Sequence, residues 1–183
     1  MLVLGIDPGT ANTGYGVVRG GHGAVNTLIE CGVIRTRSRD PLPARLREIH
    51  EGVAELIARH NPDALAVEDV FYARNVRTTI VLGHARGVIL LAAEQRGLLV
   101  NEMAPAEIKK AVVGTGGATK EQVQFMITRL LRLKTAPQPS DAADGVAAAL
   151  ACLMSIGVPR LESIGRIREP SRAIVRLPVT RRP

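Results

Sequence analysis

A chain of 183 residues, 46% of them hydrophobic, can bury one substantial core but is too short for two full domains. It has no run of eighteen or more uninterrupted apolar residues, and its start, Met1-Leu2-Val3-Leu4-Gly5, lacks the basic and long apolar segments of a signal peptide, so no membrane association and a cytoplasmic location are expected. The formal charge of +7 is concentrated at one end: residues 160–183 hold seven Arg and two Glu, five of the seven excess charges.

The elements follow in chain order. Residues 2–6 form an apolar β-type run, and 14–19 and 25–34 supply two further strands separated by glycine-rich turns, so three antiparallel strands in a row are expected. Leu46, Ile49, Val53, Leu56 and Ile57 recur at helical spacing between the prolines at 41 and 43 and Asn61-Pro62, which predicts an amphipathic helix. Residues 64–67 are a short apolar strand ending in Glu68-Asp69, 78–95 a second long helix, and 98–101 a strand. Helices are expected over 105–113, 120–133 and 141–156, divided by the loops 114–117 and 135–139. This order describes an α/β domain over 1–157 with a mixed sheet, three antiparallel strands followed by parallel additions, flanked by helices. Residues 158–183, with Pro170, Pro178 and Pro183 and no helical period, read as a flexible basic tail. Cys31 and Cys152 lie in apolar stretches without a Cys-x-x-Cys or His-rich companion, which predicts buried thiols rather than zinc or a disulfide framework.

The chemistry sits in carboxylates. Asp7 follows the first strand and precedes Pro8-Gly9-Thr10, where the chain turns tightly. Glu68 closes the later apolar strand, and neighbouring strands ending at one sheet edge would bring the two acids together. Asp69 competes for that role, because strand alternation sends neighbours to opposite faces and the pattern does not say which face is the site. Asp141 and Asp144 stand three apart at a helix start and share a face. Taken singly, each motif has a plainer explanation as a turn or a helix cap. Together, like charges packed closely need a cation, and hard oxygen donors without His or Cys suit Mg²⁺ or Mn²⁺.

The ordered set Gly5-Ile6-Asp7-Pro8-Gly9-Thr10, Val67-Glu68-Asp69-Val70-Phe71 and Ser140-Asp141-Ala142-Ala143-Asp144-Gly145 closely resembles the RuvC family of Holliday-junction resolvases. The similarity runs to about Ile156 and is reinforced by Leu82-Gly83-His84-Ala85-Arg86-Gly87 and Ile108-Lys109-Lys110-Ala111-Val112-Val113-Gly114. It implies a ribonuclease H-like fold, divalent-metal catalysis, and a homodimer that resolves four-way junction DNA by paired symmetric nicks, working with a branch-migration motor; two ions per site are expected from the clustered carboxylates, since paired ions can serve both the attacking water and the leaving oxygen. By matching position, Asp7, Glu68, Asp141 and Asp144 take the catalytic and metal-binding roles, which selects Glu68 over Asp69.

DNA contacts are expected elsewhere. Three of the four lysines, Lys109, Lys110 and Lys120, flank the glycine-rich loop near helix starts, a phosphate grip by their clustering; the resemblance gives Lys109 and Lys120 a place beside the active site. Phe71 and Tyr72 directly follow the Glu68 motif, where an exposed aromatic can stack on an unpaired base, and Arg74 and Arg77 can grip adjacent phosphates. The resemblance makes Phe71 the candidate wedge at the junction centre and the small-residue-rich helix 78–95 a candidate dimer interface; core packing is the alternative for both. Three rival readings stand beside this one. An actin-like phosphate-binding protein would need a second lobe and a second Asp-x-Gly-Thr motif, both missing here. A related nuclease trimming ribosomal RNA precursors would share the carboxylates, and a non-catalytic junction binder would not need them.

Overall fold

A computed structural model describes residues 1–20, 25–69 and 76–155. Five strands and five helices follow one another among the described residues: β1 (Leu2–Asp7), β2 (Asn12–Arg19), β3 (Thr27–Arg35), α1 (Leu42–His60), β4 (Ala64–Glu68), α2 (Val76–Glu94), β5 (Leu99–Met103), α3 (Pro105–Val113), α4 (Lys120–Leu130) and α5 (Ser140–Ser155). The strands form one sheet in the order β3-β2-β1-β4-β5. β1, β2 and β3 pair antiparallel, while β4 and β5 add parallel to β1. That is the mixed sheet expected from three hairpin-linked strands followed by strands reached through helical crossovers.

Strand alternation divides the core in two. Val3 and Ala66 face one side, where α5, α3 and α4 pack, whereas Leu4, Ile6, Leu65 and Val67 face the other, against α1 and α2. α5 has eleven buried residues, most of them alanine, and lies almost flat on β1 and β2. Glycines permit that approach: a Cβ at Gly5 would overlap the backbone of Gly145 and Ala149, and one at Gly14 would overlap the carbonyl of Asp141. At these glycines the helix and the sheet therefore meet backbone to backbone, with Val146, Leu150 and Leu153 filling the rest of the layer.

Element boundaries differ from the sequence reading in instructive places. α1 begins at Leu42 because Pro43 lacks an N–H that the first turn would leave unpaired anyway. α4 stops at Leu130, since Arg132 is in the left-handed region (φ 53°), although Leu131 and Leu133 continue the apolar pattern into the core. Cys152 is buried as expected, but Cys31 on β3 is only half-buried. α2 is the one described helix long and apolar enough to cross a membrane by length and composition, yet it carries Arg77, His84 and Arg86 and packs on α1 and β5. The tail 158–183 and the residues Phe71, Tyr72 and Arg74 lie outside the described residues.

Candidate active site

Asp7 and Glu68 are the last residues of β1 and β4, neighbours in the sheet. Both stand one step beyond the Ile6–Val67 pair of the parallel register, so their carboxyl groups leave the same sheet edge. Alternation puts Asp7 on the face of Val3 and Gly5, and Glu68 on the face of Ala66, which is the face α5 covers. Asp69 takes the opposite face. Its N–H donates to Met103 O (2.8 Å), and its carboxylate pairs with Arg86 Nη2 (3.3 Å), which also pairs with Glu102. Asp69 is thus held against α2, whereas Glu68 lines the cleft.

α5 supplies the other two carboxylates. Gly14 is the register partner of Asp7 and lies against the backbone of Asp141, so the first turn of α5 is seated directly over the end of β1. One carboxylate oxygen from each of Asp7, Asp141 and Asp144 lies within 4.8 Å of the others. Glu68 is outside that tight trio but lines the same cleft of about 260 Å³ with Asp7, Asp144, Lys109 and Lys120. The turn after β1 is braced by Thr13, whose hydroxyl donates to Gly9 O (2.6 Å) and is fully buried.

The electrostatics of the cleft are those of crowded anions. Burial pushes Asp7 up from 3.8 to about 8, with the charges of Glu68, Asp144 and Asp141 adding to the effect and Lys120 opposing it. Glu68 is raised too, by burial and then by Asp144, against the opposing charges of Lys109 and Lys120. Lys120 Nζ donates to Asp144 Oδ2 (2.6 Å). Burial works against the Lys120 ammonium, but the Asp144 hydrogen bond and the surrounding carboxylates outweigh it and raise its proton affinity. A set of oxygen donors whose charges repel one another this strongly fits a hard divalent cation, which would take up the repulsion that Lys120 only partly relieves.

Lys120 is placed by a device that the apolar periodicity does not reveal. Thr119 Oγ1 accepts from Gln122 N (3.3 Å) and Gln122 Oε1 accepts from Thr119 N (2.8 Å), a reciprocal cap that fixes the first turn of α4 with Lys120 as its first residue. The Thr-x-x-Gln spacing is the signal that marks it in the sequence. Lys109 lines the cleft from α3, whereas Lys110, one residue on, is exposed and outside the lining; Arg77 is exposed at the start of α2. The pairing of Arg86 with Asp69 and Glu102 leaves no such signal, because it joins a helix to two strands with no local spacing.

A mixed sheet with a helix laid across it, and acidic side chains gathered where two neighbouring strands end under that helix's first turn, gives the domain the ribonuclease H-like architecture. The comparisons agree. The family profile described as crossover junction endodeoxyribonuclease RuvC matches residues 3–152. A Parafrankia protein of that description is 50% identical over 150 residues, 82% of this chain and 84% of the relative, and one from Proteus mirabilis is 47% identical over 174 residues, 91% and 99%. Among solved structures, Thermus thermophilus RuvC in complex with Holliday junction substrate superposes with a TM-score of 0.81 at 37% identity, covering 86% of this chain and 96% of that one. The yeast mitochondrial Holliday junction resolvase Ydc2, at 15% identity, 83% and 78% coverage and a TM-score of 0.62, shares the fold. The chain belongs to the RuvC family of crossover junction endodeoxyribonucleases.

Proposed function

We propose that this chain is a structure-specific endodeoxyribonuclease that resolves four-way DNA junctions in recombination and repair, with Asp7, Glu68, Asp141 and Asp144 as its catalytic, metal-holding carboxylates. The observation that carries the reading is the approach of Asp7, Asp141 and Asp144 to within 4.8 Å, beside Glu68, in a chain of this family. Mg²⁺ or Mn²⁺, two ions per site, would supply water activation and neutralise the charge developing on the leaving oxygen. The carboxylates fix where those charges sit. Lys120 balances Asp144 when DNA is absent, and its ammonium is within reach of a phosphate entering the cleft; Lys109 faces the same space from α3. Ile108, Val123 and Ala147 supply the apolar part of the cleft lining.

The remaining assignments extend this reading. Phe71 and Tyr72 are taken as base-stacking residues at the junction centre, with Arg74, Arg77 and Lys110 as backbone contacts. A homodimer would place two sites on opposing strands, as paired nicks require; the exposed Val76, Ile80 and Leu91 of α2, beside exposed Leu99 of β5, support α2 as its interface. A branch-migration motor is the expected partner, and the cytoplasm, where its DNA substrate would lie, the expected location. The nuclease domain is taken as 1–157, with 158–183 as a basic tail.

The test is incubation with a synthetic mobile four-way junction, each strand labelled in turn, in Mg²⁺, Mn²⁺ or chelator, beside linear duplex and structured RNA. Paired, metal-dependent nicks at symmetric positions are expected, and Asp144→Asn should bind the junction while cutting none of it. Cleavage of RNA alone, or binding without cleavage in either metal, would refute the reading.

A further inference from the structure

The loop that joins β3 to α1 brings a second cationic surface to the active-site edge. Residues 35–45 contain four arginines, Arg35, Arg37, Arg39 and Arg45, against one acid, Asp40. Arg35, Arg37 and Arg39 are exposed, and none of them forms an ion pair among the described residues.

The placement of Arg35 follows from register, and Arg37 and Arg39 continue from it into the loop. Arg35 pairs with Asn12, two residues before Gly14, and Gly14 pairs with Asp7. Asn12 and Gly14 share a face, so Arg35 lies on the face that carries the carboxylates, while Ile34 packs into the opposite core. With two strand spacings across and two residues along, Arg35 and Asp7 are about 12 Å apart at their backbones. The loop is also pinned to the turn that follows Asp7: Thr36 N donates to Ala11 O (3.0 Å), Thr36 Oγ1 donates to Thr10 O, and the half-buried Arg45 braces the same hydroxyl through Nε (3.0 Å). The loop closes in a turn, with Asp40 N donating to Arg37 O (3.0 Å).

An acidic cleft repels the phosphates that it must approach, and cations on one side only would hold a strand at one end. The lysines of α3 and α4 stand on the far side of Asp7 and Glu68 from β3. We propose that Arg35, Arg37 and Arg39 form a second phosphate-binding surface, which holds the DNA strand as it leaves the acidic cleft opposite Lys109 and Lys120. The spacing suits it: about 12 Å spans three to four phosphates at about 3.4 Å of rise each. The inference rests on the junction-cleaving function proposed above and adds a path across the sheet edge, from α4 over the carboxylates to β3.

Binding of a fluorescent four-way junction, measured by anisotropy in chelator across a salt series, tests this. The variant Arg35→Gln/Arg37→Gln should flatten the slope of log affinity against log salt by about two for each protomer bound to the junction, and adding Arg39→Gln by about one more per protomer, with affinity at low salt falling about tenfold or further. The control Arg19→Gln/Arg96→Gln removes the same charge from the opposite end of the sheet, where Arg19 pairs with Leu2 and Arg96 precedes β5, and should leave the slope unchanged. A wild-type slope in the Arg35→Gln/Arg37→Gln variant, or an equal loss in the control, overturns the phosphate surface while leaving the nuclease reading intact. A wild-type protein that does not bind the junction at all overturns both.

Discussion

Replacing Asp7 by asparagine should stabilise the metal-free protein while destroying its activity. In the fold Asp7 holds its proton to about pH 8, because it is buried among Glu68, Asp144 and Asp141, whereas the unfolded chain releases it near 3.8. Between those values the native state binds more protons than the unfolded state, so stability falls as pH rises through the window and levels off above about 8. Each pH unit is worth about 1.4 kcal/mol, and a window of about four units sets a ceiling near 6 kcal/mol for the strain of ionised Asp7. The cleft is open to water and Lys120 lies close by, so roughly half of that ceiling or less is expected, about 2–3 kcal/mol. The substituted side chain carries no charge, and its amide can donate to the neighbouring carboxylates. Calorimetry in chelator over a pH series from about 5 to about 9 should show the variant gaining steadily on wild type, by roughly 4–10 °C in Tm at the alkaline end. Adding Mg²⁺ should then raise the wild-type Tm and close the gap, because the ion binds the native wild type and much less the variant. A variant no more stable than wild type at alkaline pH, or a gain that does not grow with pH, would refute the view that crowded anions prepare this site for a cation.

Gly14→Ala inserts a methyl where the carbonyl of Asp141 stands, so α5 must lift from the sheet; a loss of about 1–3 kcal/mol in denaturant unfolding is expected, together with junction cleavage reduced beyond what that stability loss explains. Lys120→Met removes the cation that opposes protonation of Asp7 and Glu68, so the acid limb of the pH–rate profile for cleavage should move to higher pH, and an unmoved limb would show that Lys120 serves only the DNA. Ile80→Glu with Leu91→Glu places charge on the exposed apolar side of α2 and should convert a dimer to monomer by light scattering while the thermal transition stays near wild type.

The sheet was legible because its signals are local. Alternating and continuous apolar runs marked all five strands to within a few residues, and glycine and proline separated them. Helix ends were less so: the left-handed Arg132 that ends α4 leaves no mark in a pattern that keeps Leu131 and Leu133 in the core. Within the site, Asp141 and Asp144 share a helix face by spacing alone, and Asp7 and Glu68 share an edge once β1 and β4 are neighbours. Choosing Glu68 over Asp69 from sequence required the family resemblance, since the deciding fact is nonlocal: Met103 opposite Glu68 faces α3 and α5, and Arg86 on α2 claims Asp69. Lys110 shows the converse, a basic residue grouped with Lys109 by sequence but sent to solvent by the helix's rotation of about 100° per residue.

The glycine contacts between α5 and the sheet have a bearing on how this protein fails. Two of the four carboxylates stand on the most deeply buried helix, and the other two end the strands against which it lies. Among the described residues, no hinge or surface loop separates these carboxylates from the packing that holds the domain together. Activity should therefore survive heat or denaturant up to the cooperative transition and disappear with it, while the slowest-exchanging amides should lie in the body of α5 and the middle of β1, behind the strand ends and first helical turn that carry the acids.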